Sequence, residues 1–116
     1  MLGLTELGHP LPSERVAISA RRDDAVAGVA IGWARGGVGQ LAGLVVSSAD
    51  RGQGIGSRLL AAFESTAASL ACCRMAARVR VGSQGHGFLH HRGWVEETRL
   101  TDWVDGKEFV QLRRDL

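Results

Sequence analysis

Six consecutive residues, Arg51-Gly52-Gln53-Gly54-Ile55-Gly56, have the types and the spacing to bind an anion. A short apolar run, Leu44-Val45-Val46, precedes them and reads as the end of a buried strand. Apolar residues then recur at Ile55, Leu59, Leu60, Phe63, Ala67 and Leu70, one helical turn apart. The chain is thus expected to run strand, glycine-rich turn, helix. The first N–H groups of a helix have no internal partner, and the helix dipole favours negative charge at that end. Glycines remove the Cβ atoms that would hold a bulky anion away. Backbone amides at this turn are therefore candidate ligands for a phosphate or pyrophosphate. A P-loop is excluded because no Lys follows these glycines. A dinucleotide fingerprint is excluded because Gly56 comes one place too early for G-x-G-x-x-G. The plainer reading, an ordinary tight strand–helix turn, loses weight once the flanking strand and long amphipathic helix are counted.

Other groups with chemical potential are few. His90 and His91 are adjacent, and imidazoles as a class titrate near neutrality. Their plainer reading is solvated histidines on a short helix. Arg74, Arg78 and Arg80 share one parity of a strand and offer positive charge to an acidic ligand, unless they simply form a solvated face. Cys72 and Cys73 are vicinal, which disfavours pairing, and no metal spacing is present. There is no Tyr. A net charge of +2 is too mild to argue for nucleic acid. No apolar run is long enough to span a bilayer, and Met1 to Pro12 lacks the basic start and apolar block of a signal peptide. The expectation is a cytoplasmic chain of 116 residues forming a single domain over 1–116.

The elements that must position these groups follow in order. Met1 to Ser13 reads as loop, with Pro10 and Pro12 against regular structure. Arg15 to Arg22 alternates with Val16, Ile18 and Ala20 on one face, and Asp23-Asp24 turns the chain. Ala25 to Ala34 returns, with Val29, Ile31 and Trp33 sharing a face. Gly36-Gly37 turns it again into Val38 to Val46, completing a meander that delivers the chain to the glycine turn. The helix covers Ile55 to Leu70. In the next strand Cys73, Met75, Ala77, Val79 and Val81 hold one parity, while Cys72, Arg74, Ala76, Arg78 and Arg80 hold the other. Strand, helix, strand in one sheet implies a right-handed parallel crossover. Gly82 to Gly87 reads as loop, Phe88 to Arg92 as a short helix stopped by Gly93. Trp94 to Val104 and Glu108 to Leu112 flank Asp105-Gly106, a hairpin signal.

Arg51, Gly54 and Gly56 fit R-x-x-G-x-G, after a strand Leu41 to Val46 and before a long helix. That pattern resembles the pyrophosphate motif of the GNAT acetyltransferase superfamily. Phe88 to Val95, F-L-H-H-R-G-W-V, resembles the family's segment ending its second helix, and Arg78-Val79-Arg80 resembles the close of its parallel strand. The likeness runs from Arg15 to the C-terminus and implies an α+β fold. The implied sheet is mixed and mostly antiparallel, with one parallel strand–helix–strand crossover and a C-terminal hairpin. The family's opening strand and two helices have only Met1 to Glu14 available to them. The expectation is a small or shortened member, with sheet surface left uncovered and a homodimer formed to cover it.

The resemblance implies acetyl-CoA as co-substrate and an amine as acceptor. It implies that backbone groups of Leu44, Val45 and Val46 pair with the pantetheine arm, and that one of their amides polarises the acetyl carbonyl. It assigns the pyrophosphate to Arg51 and to the amides of Gly52, Gln53, Gly54, Ile55, Gly56 and Ser57, and places Ser83 near a further cofactor contact. The family's usual Tyr acid falls at Leu89, so His90, one place on, is the substitute candidate. The family's Glu base falls at Arg78 or Gln40. Acetyl transfer to a small-molecule or peptide amine is the first expectation. A non-catalytic acyl-CoA-binding or regulatory protein on the same fold is the second, because Tyr and Glu are missing. A nucleotide-binding module fits the helix terminus but not the motif spacing. Neither nucleic acid nor membrane is expected as a partner, and no metal.

Overall fold

The computed structural model describes residues 2–5 and 12–116. Three strands form the meander: β1 (Ser13–Arg22), β2 (Ala25–Arg35) and β3 (Val38–Val46). Asp23 at φ 55° and Gly36 and Gly37 at φ 58° and 82° make its two turns. A 3₁₀ turn at Ser48–Asp50 leads to α1 (Ile55–Ser69), then β4 (Arg74–Arg80), α2 (Gln84–His91), β5 (Val95–Leu100) and β6 (Phe109–Asp115). Among the described residues six strands form one sheet in the order β1-β2-β3-β4-β6-β5. The β3–β4 pair is parallel and every other pair antiparallel. This is the α+β architecture the sequence leads one to expect.

Both helices lie on one face of the sheet. Along β2 that face carries Gly28, Ala30, Gly32 and Ala34, all buried. Small residues let α1 come close, and Ile55, Leu59, Leu60, Phe63 and Ala67 bury there. At Gly32 a Cβ would stand 1.9 Å from the Gln40 carbonyl oxygen and 2.8 Å from the Phe63 ring, so no larger residue fits. The second half of the core gathers Leu89 and Trp94 against Ala77, Val110 and Leu112. Val29, Ile31 and Trp33 do share a face, but it is the opposite one. Ile31 and Trp33 stay 47% and 43% exposed, and no helix among the described residues covers them.

Several boundaries differ from the sequence expectation. β1 starts at Ser13, two places early; of the loop expected over Met1 to Ser13, residues 2–5 and 12 have no regular structure and residues 1 and 6–11 lie outside the described ones. The second helix starts at Gln84 and not Phe88, so Gly82 to Gly87 is only partly loop. Gly85 and Gly87 disguise it, because glycine is a poor helix former. Ser83 makes the start possible: its Oγ accepts the His86 N–H at 3.2 Å. In the terminal hairpin the ladder stops at Leu100–Phe109, short of Val104. Asp105 and Gly106, at φ 53° and 67°, form the tight tip expected of that pair, on a loop longer than two residues. Cys72 is buried and Cys73 exposed, the reverse of their expected parity, because the left-handed Ala71 (φ 65°) and the late start of β4 at Arg74 leave them outside the strand.

Candidate functional site

The parallel pair carries the site. β3 and β4 are in register only from Val38–Arg74 to Leu41–Ala77. Beyond that the two strands part. β3 stays paired with β2 through Val46, and β4 stays paired with β6 through Arg80. The β2–β3 register slips between Ile31 and Gly32, leaving Ala42 of β3 as an extra residue where the strands separate. A slot of about 490 Å³ opens between them. One wall is Leu41 to Val46, the other Ala77 to Val79, and Gln84, Gly85, Phe88 and Leu89 of α2 close its side. Arg51 and Gly56 stand at its wide end. The β4-facing backbone of Leu44 to Val46 has lost its strand partner, so an extended ligand can pair there as a strand would.

A smaller hollow of about 220 Å³ sits at the glycine turn and shares Val46, Arg51, Gly56 and Phe88 with the slot. Gly52, Gly54, Ile55, Ser57, Asp50 and Arg92 complete it. Gly52 and Gly54 both have φ 77°, the left-handed region that favours glycine, and Gly54 caps α1 with no side-chain bond. Among the described residues the amides of Gly52 to Ser57 meet no acceptor, and the first one tied back is Arg58, to the Gly54 carbonyl at 3.1 Å. A run of free amides at a helix start is a ready anion cradle. Nothing lies within 4 Å of a Cβ built at Gly52 or Gly54, so the cradle is open.

The turn is braced from the meander. Arg22 Nε donates to Asp50 Oδ1 at 2.8 Å, and its Nη2 donates to Gln53 Oε1. The Ser47 hydroxyl donates to Asp50 as well. Those bonds, Ser47's first and Arg22's next, hold the Asp50 carboxyl below its usual value. Arg51 Nε donates to the Val46 carbonyl at 3.2 Å. Arg92 stacks over the Phe88 ring, 4.1 Å from its centroid.

The expected residues distribute as follows. Leu44, Val45, Val46, Arg51 and Gly56 line the slot, and Gly52, Gly54, Ile55 and Ser57 line the hollow. Gln53 borders neither, and its side chain serves the Arg22 brace. Ser83 and His90 border a separate shallow groove with His86, Trp94 and Glu96. Ser83 spends its oxygen capping α2, and His90 is turned one helical step from Leu89, the residue that faces the slot. Leu89 is only 2% exposed. Among the described residues the slot's lining contains no Asp, Glu, His, Cys or Tyr. The cysteines lie just before β4, away from the splay, where burial pushes the Cys72 thiol up and Cys73 adds to the shift. Sequence reasoning missed Phe88 and Arg92 as site residues. The only hint was an Arg four places after a Phe on a helical stretch, the spacing at which side chains meet.

A family model described as the acetyltransferase (GNAT) family matches residues 5–94. The chain belongs to the GNAT acetyltransferase family. Acetyl-CoA is the co-substrate of GNAT enzymes, and the amide cradle and unpaired strand edge of this GNAT chain are of the kind that would hold it. Solved GNAT structures share the fold. An acetyltransferase from Bacillus cereus is 21% identical with a TM-score of 0.77, over 90% of this chain and 75% of that one. A Bacillus subtilis acetyltransferase in complex with CoA is 18% identical with a TM-score of 0.75, over 86% and 76%. A ribosomal-protein-alanine N-acetyltransferase from Brucella melitensis is 22% identical with a TM-score of 0.74, over 86% and 68%. No curated protein matches the chain. Among the described residues no helix is long and apolar enough to cross a membrane.

Proposed function

We propose that this GNAT chain is an N-acetyltransferase that moves the acetyl group of acetyl-CoA directly to a primary amine. The observation that carries the reading is the continuous path from the free amides of Gly52 to Ser57 into the splayed β3–β4 slot. Acetyl-CoA supplies an activated thioester whose acyl carbon the amine nitrogen attacks as the thiolate leaves. The chain's part is holding and aiming. The turn amides and Arg51 hold the pyrophosphate, and Arg92 adds a cation from α2. The β3 edge at Leu44 to Val46 fixes the extended arm and points an amide at the carbonyl. With no acid among the described residues that line the slot, solvent protonates the departing thiolate. Direct transfer suits the position of Cys72 and Cys73, which border neither cavity.

The same lack of a wall acid or base favours a second reading, an acyl-CoA-binding protein without turnover. Acetyl-CoA titration by calorimetry, thiol release across an amine panel and intact-mass analysis separate the two. Amine-dependent thiol release with no acetyl adduct on the protein is the expected result. Binding without release on any amine selects the second reading, and ATP binding without CoA binding rejects both. A small-molecule or peptide acceptor, one domain over 1–116, action in the cytoplasm and a homodimer covering the bare sheet face belong to the same proposal.

A further inference from the structure

The slot's charges are one-sided. Among the described residues Arg51 and Arg78 are its charged lining residues, and no carboxylate joins them. Arg51 sits at the wide end, beside the anion cradle. Arg78 sits at the other end. Ala77 is level with Leu41 in the last parallel pair, so Arg78 leaves β4 where the strands begin to part. Its side chain is on the face away from the helices, with Gln111 of β6 directly opposite. On the same face Gln40 of β3 pairs with Ala76, and Trp33 of β2 pairs with Gln40.

Arg78 is held in place without being neutralised. Its Nε donates to Gln111 Oε1 at 3.0 Å. The Gln111 amide nitrogen in turn donates to Glu97 Oε2 at 2.7 Å, and Arg113 Nη1 donates to Glu97 Oε1 at 3.1 Å. Both oxygens of the nearest carboxylate in this network are therefore spoken for, and Glu97 pairs with Arg113 instead. The Gln111 and Arg113 bonds also hold the Glu97 carboxyl below its usual value. Among the described residues the two terminal nitrogens of Arg78 meet no acceptor. A guanidinium oriented through Nε, with its terminal fork free, is preorganised for a two-toothed bond to an anionic oxygen pair.

From this geometry we infer that Arg78 is a specificity-determining residue and that the acceptor is an amine bearing a carboxylate, which the Arg78 fork binds beside Gln40 and Trp33. The inference rests on the acetyltransferase reading above. It also accounts for the absence of a base among the described wall residues. A positive charge near the amine disfavours its ammonium form, so more of it is the free nucleophile. A purely cationic acceptor is disfavoured at the same place.

The test compares matched pairs: alanine with alaninamide, β-alanine with β-alaninamide, and a short peptide with its C-terminal amide. For each pair the ratio of kcat/KM, acid over amide, is measured in the wild type, Arg78→Gln and Arg78→Lys. The expected ratio falls at least about tenfold in Arg78→Gln, as for a lost charged hydrogen bond, and falls less in Arg78→Lys. Acetyl-CoA affinity by calorimetry should stay unchanged in both. A ratio that is the same in wild type and Arg78→Gln overturns the assignment while leaving acetyl transfer intact. A loss of acetyl-CoA affinity in Arg78→Gln gives the residue to the co-substrate and overturns it too. Acetyl-CoA binding with no transfer to any member of the panel overturns the acetyltransferase reading and this inference together.

Discussion

The residue that tests the anion cradle best is Gly56. Gly54 has a left-handed φ of 77°, so any side chain there strains the backbone and confuses binding with folding. Gly56 has no such φ, and a Cβ there would meet the Phe88 ring at 3.6 Å, an ordinary contact. A longer side chain would fill the junction of slot and hollow. Gly56→Leu should keep the fold, as judged by circular dichroism, and lower CoA affinity by more than about tenfold, the loss expected of an anion denied its amides. Unchanged affinity in calorimetry would reject the cradle. The neighbouring question is the proton. His90 borders the shallow groove and Leu89 the slot, so His90→Ala and His91→Ala should each keep turnover within about threefold. A true general acid contributes about 10²–10⁴-fold, and a fall of that size would restore His90 to the chemistry.

At the scale of elements, α2 owes its first turn to one hydroxyl. Gly85 and Gly87 make it a weak helix, and the Ser83 cap offsets part of that. Ser83→Ala should cost about 0.5–2 kcal/mol of stability by denaturant melts. Because α2 brings Phe88 and Arg92 to the hollow, the same variant should weaken CoA binding although Ser83 borders neither the slot nor the hollow. A variant as stable and as tight as the wild type would show that α2 folds without its cap. The brace on the phosphate turn has its own signature. The Asp50 carboxyl is held below its usual 3.8, so its contribution is present above that pH. It is lost as pH falls through the lower folded value. The melting-temperature advantage of wild type over Asp50→Asn should thus shrink as pH is taken below 3.8. A difference that stays constant into that acid range would mean the Ser47 and Arg22 bonds do not stabilise the fold.

At the scale of the molecule, the described residues form a sheet with helices on one side. The other side presents Ile31, Trp33 and Val45, each more than two-fifths exposed, in one apolar patch. The proposed homodimer would pair through that face. Light scattering at micromolar concentration should give twice the monomer mass, and Trp33→Glu should halve it while keeping the far-ultraviolet dichroism. A monomeric wild type rejects the pairing. Such a dimer would set its partner near Arg78, because Trp33 and Gln40 link the patch to the slot's base.

Local rules were sufficient for part of this protein. The spacing at Arg51 to Gly56, the helical period from Ile55 and the strand alternation around it depend on neighbours in the chain, and they were legible there. So was the crossover, because strand–helix–strand chirality leaves little choice. The slot was not legible, since it exists only where a long-range pairing stops after Leu41 and Ala77. Nor was the open face of β2. Its alternation marks two faces, but large residues sit on one and small on the other. Only the approach of α1 decided that the small face, Gly28 to Ala34, would be buried and Trp33 left outside. Likewise Leu89 and His90 are adjacent in sequence, and it took the seating of α2 to turn one into the slot and the other away. Composition and period fix what each element is; where pairing ends, and which face meets a neighbour, is settled by packing among distant residues.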